Sequence, residues 1–261
     1  MVADIPAGRQ LTLPVGLADC SDFENFHLPT QTPAGAAGRQ GAALALQLLQ
    51  SLPAAAAPRQ VHLYGPDGCG RSHLLQAACR AMGAGARYLP LHELAALGPQ
   101  VLQGMAGAPL LAVDDVQAIA GLADWEQALF AAYNQQREGG GHWLAASTSA
   151  PANLPLGLAD LRSRLQWGTV IGLQPLTDAD LWAAFVERAQ RRGLAVSPRA
   201  LQHLQLHAPR DPARLFTLLE RLDALSLAAR RPVDWPMVRE LLAQGAEPTV
   251  AAPPAHTGRS R

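Results

Sequence analysis

The sequence predicts an α/β protein in which a doubly wound parallel sheet is followed by a small helical subdomain. Short apolar runs alternate with helical segments between residues 60 and 173, as expected for strands joined by crossover helices. From Pro175 onward only helical patterns occur. A chain of 261 residues, 49% of them hydrophobic, can bury such a core. We divide it into an arm over 1–20, an α/β domain over 21–174, a helical subdomain over 175–245 and a disordered tail over 246–261.

The arm contains one short motif, which reads Gln10-Leu11-Thr12-Leu13-Pro14. In an extended chain Leu11 and Leu13 point to the same side, and Pro14 disfavours the helical region for the residue before it. The segment is therefore suited to lie flat in a groove. Two leucines in a terminal coil are also common, so the meaning of this motif depends on the rest of the chain.

The central motif spans residues 61–75 and reads as an apolar strand, a glycine-rich turn and a helix start. It matches the phosphate-binding pattern G-x-x-x-x-G-K-[ST], except that Arg71 replaces the lysine. Such a loop closes backbone N–H groups around phosphates, and the helix N-terminus adds positive potential. We expect a nucleotide diphosphate here, with Mg²⁺ at Ser72. The alternative is an ordinary glycine-rich turn. The candidate binding residues are Gly65, Gly68, Gly70, Arg71, Ser72 and His73.

The replacement of lysine by Arg71 changes the activity that is expected of this loop. A guanidinium is a wide planar fork with fixed geometry, whereas an ammonium is a compact charge that can follow a phosphoryl group during its transfer. We therefore expect nucleotide binding with little turnover. The sequence contains no lysine at all, so compositional bias alone would also place an arginine here.

Phe23 and Phe26 form an aromatic pair ahead of a helix predicted near residues 40–51. One interpretation is that the pair anchors this segment in the core. The other is that the segment folds over the base of a bound nucleotide, for which an apolar wall is suitable.

Two later strands are predicted to end in polar groups. The apolar run Pro109–Val116 closes with two acids: Asp114 is expected to hold Mg²⁺ through its water shell, and Asp115 to orient an attacking water. A strand end with surface acids is the alternative. The strand His142–Ala146 precedes Thr148, which lies where a sensor of the γ-phosphate is expected. Between the loop and these strands, residues 94–104 are predicted to form a weak helix.

The helical subdomain is predicted from its capping residues. Thr177 and Asp180 form a capping box for a helix that Gly193 ends. Further helices are predicted to start at Ser197-Pro198, at Asp211-Pro212 and between Asp234 and Pro236.

Charge and cysteine content argue against several classes of protein. There are 21 basic and 21 acidic residues, so the net charge of zero gives no overall attraction to nucleic acid. Cys20, Cys69 and Cys79 have neither metal-ligand spacing nor the even number of a disulfide framework. No apolar run is long enough to cross a bilayer, and no signal-peptide pattern is present. We expect a cytoplasmic protein that does not contact membranes.

The order of these motifs resembles the AAA+ module of the bacterial replication initiator DnaA, from about Phe23 to Leu242. Residues 110–121 and 161–168 carry the strongest likeness. The resemblance implies an AAA+ P-loop fold with a helical lid. It also implies that Arg164, in Ser-Arg-Leu-Gln-Trp-Gly, is an arginine finger acting on the γ-phosphate of a neighbouring subunit. Arg214 corresponds to the lid arginine called sensor 2, which touches bound nucleotide. Surface salt bridges are the alternative for both arginines. Thr148 departs from the acidic sensor of the family.

Initiators continue into a helix-turn-helix DNA reader, for which this chain leaves no room after the lid, so we expect no sequence-specific DNA binding. The arm motif is similar to the short glutamine-leucine peptide with which many bacterial proteins bind the replicative sliding clamp. A DnaA-like module with such an arm is similar to the Hda group, the regulatory inactivators of DnaA. That resemblance implies bound ADP or ATP with Mg²⁺, and two partners, DnaA and the DNA polymerase III sliding clamp (beta subunit), whose groove Gln10, Leu11, Leu13 and Pro14 would occupy. It further implies that Arg164 stimulates ATP hydrolysis in trans.

Two other functional classes remain open. A helicase-loader-like or initiation-accessory ATPase would share the module, but it would hydrolyse ATP in its own site, which Arg71 disfavours. A P-loop kinase of small molecules would give no reason for Arg164 or for the motif in the arm. The sequence also leaves a homo-oligomer open.

Overall fold

The computed structural model describes residues 21–30, 36–54 and 58–244. The arm motif, with Gln10, Leu11, Leu13 and Pro14, lies outside these residues, as does the tail predicted from residue 246. The described chain forms two compact units, which divide between Asp180 and Leu181.

The first unit contains a parallel five-stranded sheet. Its strands, in the spatial order β2-β3-β4-β1-β5, are β1 (Gln60–Tyr64), β2 (Arg87–Pro90), β3 (Leu110–Asp114), β4 (His142–Ser147) and β5 (Thr169–Gly172). Sequence order and spatial order differ at β1, which lies between β4 and β5. This arrangement brings the carboxyl ends of β3, β4 and β1 side by side, where open parallel sheets bind ligands.

One helix precedes the sheet of the first unit, and four lie in the connections between its strands. In chain order they are α1 (Ala36–Gln50), α2 (Arg71–Met82), α3 (Leu91–Leu94), α4 (Ala123–Glu138) and α5 (Ala159–Leu165). The weak helix predicted over residues 94–104 is wrong, because this stretch forms two short 3-10 turns. Gly98, with φ of 88°, and Pro99 directly after it separate the two turns.

Both faces of the sheet are covered by apolar side chains. Leu110 and Ala112 of β3 belong to one core cluster, and Leu111 and Val113 belong to the other. Alternate residues of a strand point to opposite faces, so a strand buried on both sides must be apolar throughout. This is why the run before Asp114 has no polar residue.

The second unit is helical, as predicted. Its helices are α6 (Asp178–Arg191), α7 (Pro198–His207), α8 (Pro212–Ala229) and α9 (Trp235–Gln244), and the first turn of α6 belongs to the first unit. Ser197 and Asp211 cap α7 and α8 by accepting the backbone N–H three residues later. Among the described residues, no helix is long and apolar enough to span a membrane.

Candidate functional site

The candidate site lies where three neighbouring strands end. The glycine-rich loop follows β1, Asp114 ends β3 and Ser147 ends β4. The backbone N–H of Gly65 donates to the carbonyl oxygen of Ser147 at 3.2 Å, so the loop is joined to the end of β4. The structure therefore brings together the loop and the two polar strand ends that the sequence predicted for this edge.

Two glycines of the loop adopt backbone conformations that other residues rarely take. Gly68 has φ of 76° and Gly70 has φ of 93°. A Cβ atom on Gly70 would also lie 2.7 Å from Cε2 of Phe26. The loop thus needs glycine at position 70 both for its turn and for the aromatic ring that closes against it.

The segment before the sheet is held against the start of α2. Phe23 and Phe26 pack on the core cluster that contains β1 and α2, which fits the core-anchoring interpretation of this pair. The Nε2 atom of His73 lies 2.7 Å from the carbonyl oxygen of Asp22, and its ring centre is 5.8 Å from that of Phe26. His73, predicted to bind nucleotide, therefore also fastens this segment beside the loop.

Arg71 folds back onto its own loop. It is 5% exposed. Its Nη1 donates to the carbonyl oxygen of Gly65 at 2.5 Å, and its Nη2 donates to Oδ1 of Asp67 at 2.9 Å. The same Nη2 lies 3.8 Å from Oδ1 of Asp115. A phosphate that binds Arg71 must therefore use its remaining N–H donors or displace some of these contacts.

Asp114 and Ser72, the residues predicted to hold Mg²⁺, contact each other. Asp114 is 1% exposed, and its carboxylate accepts hydrogen bonds from the Ser72 side chain, the Tyr88 hydroxyl at 2.7 Å and the backbone N–H of Asp115 at 2.9 Å. Burial raises the pKa of Asp114, while the hydrogen bonds from Ser72 and Tyr88 oppose that rise. Burial and the neighbouring Asp114 raise the pKa of Tyr88, so its hydroxyl remains a donor.

A carboxylate and a hydroxyl side by side fit Mg²⁺, which binds few protein oxygens and keeps several waters or phosphate oxygens. Within the described ranges, no group of three or more His, Cys, Asp or Glu side chains could hold a metal ion by itself. Ser72 and Asp114 are thus suited to a metal ion that arrives with a phosphate ligand.

Gln117, which sequence reasoning missed, joins Asp115 to the end of β4. Its Nε2 donates to Oδ1 of Asp115 at 2.9 Å, and its Oε1 accepts the backbone N–H of Thr148 at 3.1 Å. Asp115 has φ of 56°, an uncommon conformation for a residue other than glycine. The side chain of Gln117 therefore holds the carboxylate of Asp115 next to the predicted sensor position.

A buried pair beneath the loop was also missed. His62 is fully buried in β1, and its Nε2 lies 2.7 Å from Oγ of Ser147, which donates its own proton to the carbonyl oxygen of Ser149 at 2.6 Å. His62 Nε2–H must then be the donor, and its Nδ1 has no partner among the described residues. Burial lowers the pKa of His62 to about 3, so the ring is neutral at physiological pH.

Arg164 lies at the other end of β1. Its carbonyl oxygen accepts a hydrogen bond from Nε2 of Gln60, the first residue of that strand, at 2.6 Å. Its guanidinium carbon lies 4.1 Å from the centre of the Trp167 ring, and that of Arg137 lies 5.0 Å from it. Arg164 makes no ion pair with the described residues, and its role as an arginine finger stays a prediction.

Arg214 belongs to the second unit. It lies in the first turn of α8, where its side chain is exposed and its backbone N–H donates to Oδ1 of Asp211 at 2.9 Å. No ion pair joins Arg214 to another described residue. Its predicted role as sensor 2 stays a prediction.

Comparison with known proteins agrees with this fold. Residues 178–242 match the family described as Hda, lid domain. Domain III of the replication initiation protein DnaA from Thermotoga maritima is similar over 90% of this chain and 100% of that chain, with 19% identity and a TM-score of 0.65. AMPPCP-bound DnaA from Aquifex aeolicus is similar over 88% of this chain and 70% of that chain, with 19% identity and a TM-score of 0.61.

A mutant of RuvB from Thermotoga maritima is similar over 86% of this chain and 72% of that chain, with 15% identity and a TM-score of 0.52. The predicted fold, an AAA+ sheet followed by a helical lid, is confirmed. The chain has the fold of DnaA domain III, and its residues 178–242 are similar to the Hda lid domain.

Proposed function

We propose that this protein is a negative regulator of replication initiation. It holds ADP in its own phosphate loop and, together with the DNA-loaded sliding clamp, stimulates ATP hydrolysis by a DnaA-type initiator through Arg164. The observation that carries this proposal is the position of Arg164, a half-buried cation that forms no ion pair with a described residue and is bonded to the end of β1 opposite the chain's own loop.

The nucleotide site supports binding more than turnover. Gly68 and Gly70 shape the loop, and Ser72 and Asp114 stand together where a phosphate-bound Mg²⁺ would be held. When bound, Mg²⁺ supplies positive charge to the phosphate oxygens. Arg71, in contrast, is already engaged by Gly65 and Asp67. A guanidinium that is already hydrogen-bonded can bind a diphosphate by exchanging some of these contacts. It is poorly suited to follow a phosphoryl group during its transfer.

We infer that Arg164 acts on another subunit. The strand from Gln60 to Tyr64 spans roughly 13 Å, because a strand rises about 3.3 Å per residue. Arg164 is bonded to Gln60, while the loop begins after Tyr64. Arg164 is therefore anchored at the end of β1 that lies opposite its own phosphate loop, with its guanidinium next to the Trp167 ring. In a neighbouring active site, an arginine stabilises the charge that develops on the transferring phosphoryl group.

The lid and the arm are the two parts of the chain from which its partners are inferred. The match of residues 178–242 to the Hda lid domain favours a protein that acts on DnaA over other AAA+ proteins. The arm motif Gln10-Leu11-Thr12-Leu13-Pro14 is proposed to bind the sliding clamp. Deleting residues 1–15 should abolish retention on the clamp while leaving ADP binding intact. Unchanged clamp retention after this deletion would remove the clamp from the proposal.

The decisive experiment measures hydrolysis of initiator-bound ATP in the presence of DNA-loaded clamp. Arg164→Ala should keep its fold and its ADP, yet lose most of the stimulation seen with the wild type. Arg162→Ala, a variant of the same helix with the same loss of charge, is the matched control and should stimulate normally. Equal rates for wild type and Arg164→Ala would reject the proposal. Rapid ATP turnover by the isolated protein would instead favour the loader-like ATPase.

A further inference from the structure

Although the net charge of the chain is zero, its two units have net charges of opposite sign. Residues 1–180 contain nine arginines and fourteen acidic residues, whereas residues 181–261 contain twelve arginines and seven acidic residues. The two portions therefore carry about five charges each, of opposite sign. A basic portion in a neutral chain points to an anionic partner that the whole-chain charge does not reveal.

Two arginines of the second unit, one on α7 and one on α9, lie around a single aromatic ring, although Glu240 follows Arg239 on α9. The guanidinium carbons of Arg199 and Arg239 each lie 4.7 Å from the centre of the Trp235 ring. The ring of His203 is 5.9 Å from that of Trp235 and 4.3 Å from that of His207. We call these five residues the lid cluster. Both arginines and His207 are exposed, and His203 and Trp235 are half-buried.

The arginines of the lid cluster differ from others of the same unit because no acidic side chain neutralises them. Arg191 pairs with Glu187, Arg192 pairs with Glu220 and Asp223, and Arg231 pairs with Asp234. No ion pair joins Arg199 or Arg239 to any residue that the structure describes. Two exposed guanidinium groups thus lie against one ring, with their N–H donors available.

We propose that the lid cluster binds the phosphodiester backbone of DNA without reading its sequence. A guanidinium that lies against a ring has fewer orientations available, which favours bidentate donation to two phosphate oxygens. The ring of Trp235 is covered by cations and offers little apolar surface to a protein partner. A surface of cations and hydrogen-bond donors is instead typical of protein–DNA interfaces.

The proposal is tested by fluorescence anisotropy with a short labelled DNA duplex and the full chain, without clamp or initiator. Wild type should bind weakly, with an affinity that falls steeply as salt increases. Arg199→Ala with Arg239→Ala should weaken binding at least about tenfold near 50 mM salt, and should lower the slope of log affinity against log salt by about 1.8, because each phosphate contact contributes about 0.9. Replacing both arginines by lysine should preserve most of the slope.

The matched control removes two arginines that already have acidic partners. Arg191→Ala with Arg192→Ala makes the same change in net charge and should bind DNA close to wild type. A single-stranded oligonucleotide should compete with the duplex, because both carry the same backbone.

The proposal fails if the wild type does not bind DNA at low salt, or if the control pair weakens binding as much as the cluster pair. It also fails if polyglutamate binds while DNA does not, since an acidic protein would then be the partner. None of these outcomes depends on Arg164, because neither the initiator nor the clamp is present. Loss of DNA binding would therefore say nothing against the proposed regulation of hydrolysis, and the two proposals can fail independently.

Discussion

The guanidinium carbon of Arg164 lies 4.1 Å from the centre of the Trp167 ring, and Trp167 is 44% exposed. A cation over an aromatic face is attracted by the ring quadrupole. The ring also limits the directions that a long, flexible arginine side chain can take. The proposed finger would therefore be partly ordered before it meets another subunit, which reduces the entropy lost on engagement.

Trp167→Ala should accordingly weaken the stimulation of hydrolysis without abolishing it. The interaction is worth about 0.5–1 kcal/mol at an exposed site, or roughly twofold to fivefold in rate. Trp167→Phe, which keeps a ring, should retain most of the activity. The measurement is the rate of initiator-bound ATP hydrolysis over a range of regulator concentrations. Full activity of Trp167→Ala at every concentration would show that the ring does not position Arg164.

Arg71→Ala should weaken ADP binding. A charge-assisted hydrogen bond contributes about 1.5–3 kcal/mol, but Gly65 and Asp67 already hold part of the Arg71 guanidinium, so we expect about a tenfold loss of affinity, near the lower limit. Calorimetric titration with ADP measures this change. Arg80→Ala removes the same charge from the same helix and should bind ADP as the wild type does. Equal affinities for all three proteins would place Arg71 outside the binding site.

Asp67→Asn should have the opposite effect and tighten ADP binding. The side chain of Asp67 is 85% exposed, yet it accepts a hydrogen bond from the buried guanidinium of Arg71 and adds negative charge beside the loop. Exposed ion pairs are worth up to about 1 kcal/mol, which sets an upper limit of about fivefold on the gain. The same titration tests this. Weaker ADP binding by Asp67→Asn would mean that Asp67 orients Arg71 instead of competing for it.

Much of this architecture could be predicted because the signals are local. The run before Asp114 is apolar throughout because both faces of β3 are buried, and the caps Ser197 and Asp211 mark the starts of helices in the sequence itself. The weak helix predicted over residues 94–104 does not form, because Gly98 and Pro99 divide this apolar stretch into two turns.

The interactions that were missed join residues far apart in the chain. His62 meets Ser147 only because β1 pairs with β4, a crossover that no local pattern specifies. Gln117 lies in the turn directly after the two acids, but its second partner is the backbone of Thr148 on the next strand. The position of Arg199 and Arg239 around Trp235 likewise depends on how α7 packs against α9.

His62 should make the protein less stable in acid. Its ring has an ordinary pKa near 6.5 in the unfolded chain, and burial lowers the pKa to about 3 in the folded protein. Below pH 6.5 the unfolded chain therefore binds a proton that the folded protein does not. The contribution of neutral His62 to the free energy of unfolding is therefore complete above pH 6.5. It is lost as the pH falls towards 3, by about 1.4 kcal/mol per pH unit.

The test compares urea unfolding of the wild type with that of His62→Gln between pH 7 and pH 5. Glutamine does not titrate and can still donate to Oγ of Ser147, so its free energy of unfolding should fall less steeply as the solution is acidified. Ser147→Ala is the matched control: it removes the hydrogen-bond partner but keeps the buried imidazole, so it should lose stability with pH as steeply as the wild type. Parallel pH profiles for wild type and His62→Gln would show that His62 titrates normally in the folded protein, and that the strand beneath the phosphate loop tolerates a charged ring.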